Sequence, residues 1–154
     1  MQAINHALTG AVIGLAIDEP LIALPVAFGS HFALDAIPHF GLDVPKETYL
    51  ASKTLKVLLI ADATLCFLLV LLLFVTKPKN WLQACLCAFL AASPDFMWMP
   101  KYIRQLRHKK PKSPNRIMRF HSSIQWFQHP IGVVPEIVWF VGMSLVLLTF
   151  LHPA

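Results

Sequence analysis

The sequence predicts an all-α fold, a polytopic membrane bundle of about five helices forming a single integral-membrane domain over residues 1–154. Three observations predict it. Hydrophobic residues make up 56% of the chain and charged residues 14%, against ~25% charged in ordinary soluble domains, and the mean hydropathy is +0.61. Residues 55–75 form an apolar run broken only by Lys56 and Asp62, and roughly 20 such residues suffice for a helix to cross a bilayer. The segments 81–99 and 131–151 are of similar length and character. Finally, the basic residues are gathered into one stretch, as expected of a loop between membrane helices.

The elements follow in order. A first short apolar helix covers residues 3–17. The stretch from Met1 to Ile17 has no Lys or Arg, so it lacks the positive start of a signal peptide and is expected to stay in the bundle. A second short helix spans 20–38, opened by Pro20 after the acidic turn Asp18-Glu19 and closed by Pro38. Proline suits a first helical turn and ends a helix elsewhere. A polar loop (39–53) leads to a helix at 54–75, the tight turn Lys77-Pro-Lys-Asn80 and a helix at 81–99. A basic segment (100–120) precedes a last helix over 124–151, with Pro130 and Pro135 as the points where it would break. Pro25 and Pro94 fall inside apolar stretches, where each is expected to kink its helix and free a carbonyl. The helices are thus short or kinked around a polar cluster.

Cys66, Cys85 and Cys87 lie in apolar segments. Cys85-x-Cys87 is too closely spaced for a zinc knuckle, and its side chains point to nearly opposite helix faces, so all three read as buried thiols. His108 and His152 read as surface residues.

Residues 101–119 carry eight Lys and Arg and no acid, from Lys101 to Arg119, so in a chain of net charge +5 the remainder stands at −3. The positive-inside rule places this segment in the cytoplasm. Attraction to anionic lipid headgroups accounts for it beside membrane helices, and no nucleic-acid partner is expected. With that segment inside, His6, the trio His31, Asp35 and His39, then Asp95, His121 and His129 all fall at the inner ends of their helices. Polar residues scattered at random would not converge on one leaflet.

Each candidate has a functional and a plainer reading. His31 and Asp35 are four apart, on one face of an apolar helix, and a metal ion is the partner this pair suits best; the plainer reading is a capping Asp beside a hydrogen-bonded His. His6 precedes Gly10-x-x-x-Gly14, whose small residues let the first helix approach a neighbour closely, and is either a ligand or an interfacial residue. Asp95, after Pro94, is a carboxylate ligand or a local cap. His121, Gln125, His129 and Glu136 would share one face of an unbroken helix. His39 and His129 join the ligand candidates, and Glu136 is either a general base for a metal-bound water or a contact between helices. Asp62, about 12 Å into its helix, either orients a histidine ligand or forms a buried helix–helix hydrogen bond.

With these elements in view, the chain resembles the YdjM-type membrane-bound metal-dependent hydrolases of bacteria. The resemblance rests on Asn5-His6, His31-x-x-x-Asp35, Pro94-Asp95 and the His121/His129 region, where His121-Ser-Ser-Ile-Gln-Trp stands in place of the family's His-Arg-Gly-x-Thr-His-Ser. More distantly, His31 through His39 is similar to the His-x-x-x-Asp core of helical zinc-dependent phospholipase C and nuclease proteins. These likenesses imply a protein of the bacterial inner (plasma) membrane and zinc-assisted phosphoester chemistry.

The expected function is a membrane-embedded metal-dependent hydrolase. It would hold one or two divalent ions, zinc above all, through His6, His31, Asp35, Asp95 and His121, and act on a lipid or other phosphoester or ester at the cytoplasmic membrane surface. A proton or divalent-metal transporter is one alternative, since intramembrane carboxylates and histidines also mark ion paths. A non-catalytic adaptor binding anionic lipid or a partner through its basic segment is the other.

Overall fold

The first helix, α1 (Ala3–Ala16), is the axis on which the other long helices pack. The computed structural model describes residues 1–42, 52–107 and 113–151. The rest of the polar loop, the stretch holding His108, Lys109, Lys110 and Lys112, and His152 lie outside the described residues. Among the described residues every regular element is helical, apart from an isolated bridge between His39 and Gln128.

After α1 come α2 (Pro20–Asp35), α3 (Lys53–Thr76) and α4 (Trp81–Ala92), then a 3-10 turn (Ser93–Trp98) and α5 (Met99–Leu106). A further helix, α6 (Arg116–Ile124), a second 3-10 turn (Pro130–Gly132) and α7 (Val133–Leu151) complete the order. Lys53–Thr76, Trp81–Arg104 and Pro130–Leu151 are each long and apolar enough to cross a membrane. On α3, Leu55, Asp62, Leu69 and Leu73 are buried while Val57, Ile60, Phe67 and Phe74 are exposed. One stripe therefore faces the bundle, and the rest of the surface is as apolar as the lipid it would meet.

Local chemistry sets the boundaries. The Glu19 side chain accepts from Leu21 N–H (3.2 Å) and Pro20 opens α2. Ser52 caps α3, which ends on Lys77 in the left-handed region (φ 46°). Pro25 is absorbed within an unbroken α2, but Pro94 tightens the helix expected over 81–99 into 3-10 geometry after Ala92, and the run continues without a gap into α5. The last helix, expected over 124–151, starts only at the 3-10 turn opened by Pro130 and continues as α7, while α5 and α6 fall largely in the stretch read as a basic segment.

α1 is buried on nearly every side because it is small where it must be. A Cβ on Gly10 would collide with the Cys87 carbonyl, and one on Gly14 would lie 2.6 Å from Ala84 Cα. Both glycines thus let α1 meet α4 backbone to backbone, as the Gly10-x-x-x-Gly14 spacing predicts. Ile4, Leu8, Ala11 and Leu15 then join Leu69, Leu73, Ala88 and Leu147 in the main core. At one end of the bundle, Asp18 accepts from Lys79 Nζ (2.9 Å) and Asn80 Nδ2 (2.7 Å), which hold its carboxyl below the usual carboxylate range. The polar cluster lies at the other end.

Candidate metal centre

The first turn of α1, the last turn of α2, the Ser93–Trp98 turn and α6 meet around Asp35, which is 1% exposed. Its Oδ2 accepts from Gln125 Nε2 (2.8 Å) and lies 3.0 Å from His121 Nε2 and 3.2 Å from His31 Nε2. Its Oδ1 faces His6 Nε2 at 3.1 Å and the Met1 amino group at 2.6 Å. Asp95 stands opposite: Oδ1 is 3.9 Å from both His31 and His121 Nε2, and Oδ2 is 3.9 Å from His6 Nε2. The three imidazoles are roughly stacked, with centroids 4.1 Å apart for His6–His31 and 5.1 Å for His31–His121.

His31 decides what this cluster can do. Its Nδ1–H donates to the Ala91 carbonyl at 2.8 Å, so in the neutral ring Nε2 carries a lone pair. That lone pair points among two carboxylates and a second imidazole nitrogen 2.9 Å away, in a fully buried position. Electron pairs crowded this way require a cation between them, either a proton or a metal ion. Bonds of about 2.0–2.2 Å set the donors of a tetrahedral zinc roughly 3.3–3.6 Å apart. The separations of 2.9–3.2 Å and 3.9 Å bracket that spacing. His31, Asp35, Asp95 and His121 each offer one atom within 4.8 Å of the others, so among the described residues these four could hold a metal ion. Ala91 fixes the His31 tautomer and Gln125 holds Asp35, the outer-shell support that ligating groups usually have.

His6 lies against the same group, but its buried Nδ1 has no partner, so it lacks the outer-shell bond that His31 has. His39 is near in sequence and differently engaged. Its Nδ1–H donates to Ile37 O (2.8 Å), Nε2 accepts from Gln128 (3.3 Å), and its backbone bridges residues 127–129. Burial lowers its pKa from the usual value. His129 Nδ1 accepts from Ile131 N–H (3.3 Å) and caps the Pro130–Gly132 turn. Because the helix is broken there, His121, Gln125, His129 and Glu136 do not share a face; only His121 and Gln125 reach Asp35.

Asp62 and Glu136 are carboxylates of a different kind. Asp62 accepts from Ala3 and Ile4 N–H, both at 2.8 Å. Glu136 accepts from Gln2 N–H (3.0 and 3.2 Å), Asn5 Nδ2 (2.9 Å) and Phe40 N–H (3.2 Å). α1 has no side-chain cap of its own, and these two residues, from α3 and α7, satisfy the open donors of its first turn. Three partners of the site escaped the sequence reading: Gln125 as a donor to Asp35, the Met1 amino group on its other oxygen, and the Ala91 carbonyl. The four-residue step from His121 to Gln125 was the available signal for the first, and a backbone group leaves none.

Within the group, the side chains of Asp95 (20%) and His121 (12%) keep some access to the outside, whereas those of His6, His31 and Asp35 have none, so the cluster opens on the Asp95–His121 side. No family model, curated protein or solved structure matches this chain.

Proposed function

We propose that this chain is a membrane-embedded metal-dependent hydrolase that cleaves a phosphoester or ester of a lipid, or of another anionic substrate, at the membrane surface. The observation that carries the reading is the buried His31 Nε2 lone pair, held by Ala91 among Asp35, Asp95 and His121. His31, Asp35 and His121 form the inner donors, and Asp95 completes the set on the open side. His6, against the other oxygen of Asp35, is placed to serve a second ion. Imidazole and carboxylate donors in this number favour zinc. A bound ion of that kind polarises the scissile group and brings a water to a pKa near ~7. Asp95 also presents a carboxylate to the accessible side, where it can accept a proton from the attacking water. Asp62 and Glu136 are bonded to α1 and have no such freedom.

The basic segment 100–120 leaves the Asp95 turn and enters the helix bearing His121. Among the described residues Arg104 and Arg107 follow that turn and Arg116 and Arg119 stand on that helix, and on this reading they gather anionic headgroups on the cytoplasmic side of a bacterial inner membrane. A transport path is less consistent with a cluster at one end of the bundle, because transporter sites lie near the midplane.

Elemental analysis of detergent-purified wild type beside His31→Ala/Asp35→Ala tests the proposal. The expected result is about one or two zinc per chain in the wild type, lost in the double variant, with zinc-dependent hydrolysis of phospholipid or phosphoester substrates. A wild type that stays metal-free after reconstitution with zinc or manganese overturns it and leaves the adaptor reading in front.

A further inference from the structure

A cavity of about 280 Å³ lies between α1, α3 and α7, beside the His/Asp cluster and separate from it. α3 and α7 both pack on α1 but scarcely on one another, and the cavity is the space this leaves. Phe40, Ala61, Leu65, Ile137 and Phe140 give it an almost wholly apolar wall. Ala61, Leu65 and Ile137 are exposed and stand on helices long enough to cross a bilayer. The cavity therefore opens sideways, toward hydrocarbon.

Its polar end lies at the first turn of α1. There Asp62 and Glu136 are engaged by backbone N–H groups, but Asn5 is not satisfied. Its Nδ2 donates to Glu136 (2.9 Å to Oε2, 3.2 Å to the carbonyl), which fixes the amide orientation and leaves Oδ1 buried with no partner. That oxygen is closed off from the cavity as well, so the polar end is formed by side chains already turned toward one another and toward the α1 backbone. This end also adjoins the cluster: Met1 N meets Asp35 while the next backbone N–H, of Gln2, meets Glu136.

We propose that the cavity binds one acyl chain of a membrane phospholipid, admitted between α3 and α7, with the head region at the polar end beside the first turn of α1. The space suits a single hydrocarbon chain and is too small for a helix, which with side chains is about 10 Å across. Chain binding itself needs no chemistry; only the placing of the head beside Asp35 rests on the hydrolase reading, and there it makes a phospholipid the substrate.

The test is photolabelling in nanodiscs of phosphatidylethanolamine and phosphatidylglycerol that carry a diazirine on one acyl chain, with adducts mapped by peptide mass spectrometry. Adducts are expected to concentrate in residues 58–65 and 133–140 and to compete with unlabelled lipid. Ala61→Trp, which fills the cavity, should abolish them, and Val57→Trp, on the exposed face of α3 outside the cavity, should leave them unchanged. Leu65→Trp replaces Ala61→Trp if the latter does not fold. Adducts spread evenly over the exposed faces, insensitive to either cavity variant, would mean ordinary bilayer contact and overturn the proposal. Cross-links between two copies through the gap would overturn it as well. Metal content is read on the same samples. Cavity labelling without metal sinks the hydrolase reading and leaves this one standing, whereas metal with even labelling sinks this one alone.

Discussion

Gln125 holds Asp35 by a single 2.8 Å hydrogen bond to Oδ2 and is not itself among the residues grouped to take a metal. Gln125→Ala is therefore expected to lower zinc affinity by about 10–100-fold without changing the number of ions bound at saturation. Competition against a chelator measures this, and an unchanged affinity would mean that the histidines alone orient Asp35. The sequence shows His31 and Asp35 as a pair because a spacing of four on an apolar helix is itself informative. It does not distinguish His31 from His39 or His129. What separates them is the partner of one ring nitrogen: the Ala91 carbonyl, sixty residues away, for His31; the Ile37 carbonyl, two residues away, for His39; and the Ile131 N–H for His129. Only the first leaves a lone pair facing carboxylates.

Among the elements, α1 is the one whose start is completed by others. Asp62 and Glu136 sit at depths where a polar residue invites a catalytic reading, yet both end on the backbone N–H groups of Gln2, Ala3 and Ile4. Asp62→Ala would orphan two donors, at roughly 1–3 kcal/mol each. It is expected to lower the melting temperature in detergent while leaving metal content intact. Loss of hydrolysis at an unchanged melting temperature would instead make Asp62 part of the chemistry. The sequence could not show this, since capping is read from residues next to a helix and the donors here lie 58 and 134 residues from their acceptors. Periodicity made the long helices visible, and α3 matches its expected bounds within a residue at each end. Where prolines crowd, after Ala92 and before Val133, periodicity cannot tell a kink from a break, and the structure has a 3-10 stretch at the first and a break at the second.

For the whole molecule, the two ends differ in kind. One is a small polar latch of Asp18, Lys79 and Asn80, and the other carries the His/Asp cluster, with Arg116 and Arg119 of the basic segment on the helix that bears His121. If that segment is cytoplasmic, a cysteine placed at Lys79 should react with a membrane-impermeant maleimide in intact cells, and one at Arg116 only after permeabilisation. The reverse pattern would put the cluster outside. The convergence of His6, His31, Asp35, Asp95 and His121 on one end was legible from helix order and the basic segment, because alternate crossings carry every second helix end to the same side. The narrower grouping of four was not legible, since it depends on how α6 turns back over α2.

The borrowed cap on α1 also bears on how the protein is made. The Ala3 and Ile4 N–H groups stay open until Asp62 of α3 is present, and that of Gln2 until Glu136 of α7 is. α1 therefore acquires its full set of bonds in two instalments, the second only when α7 has joined the bundle. The cluster in turn needs residues as late as His121, so chains cut short before α6 would carry His6, His31 and Asp35 without the site.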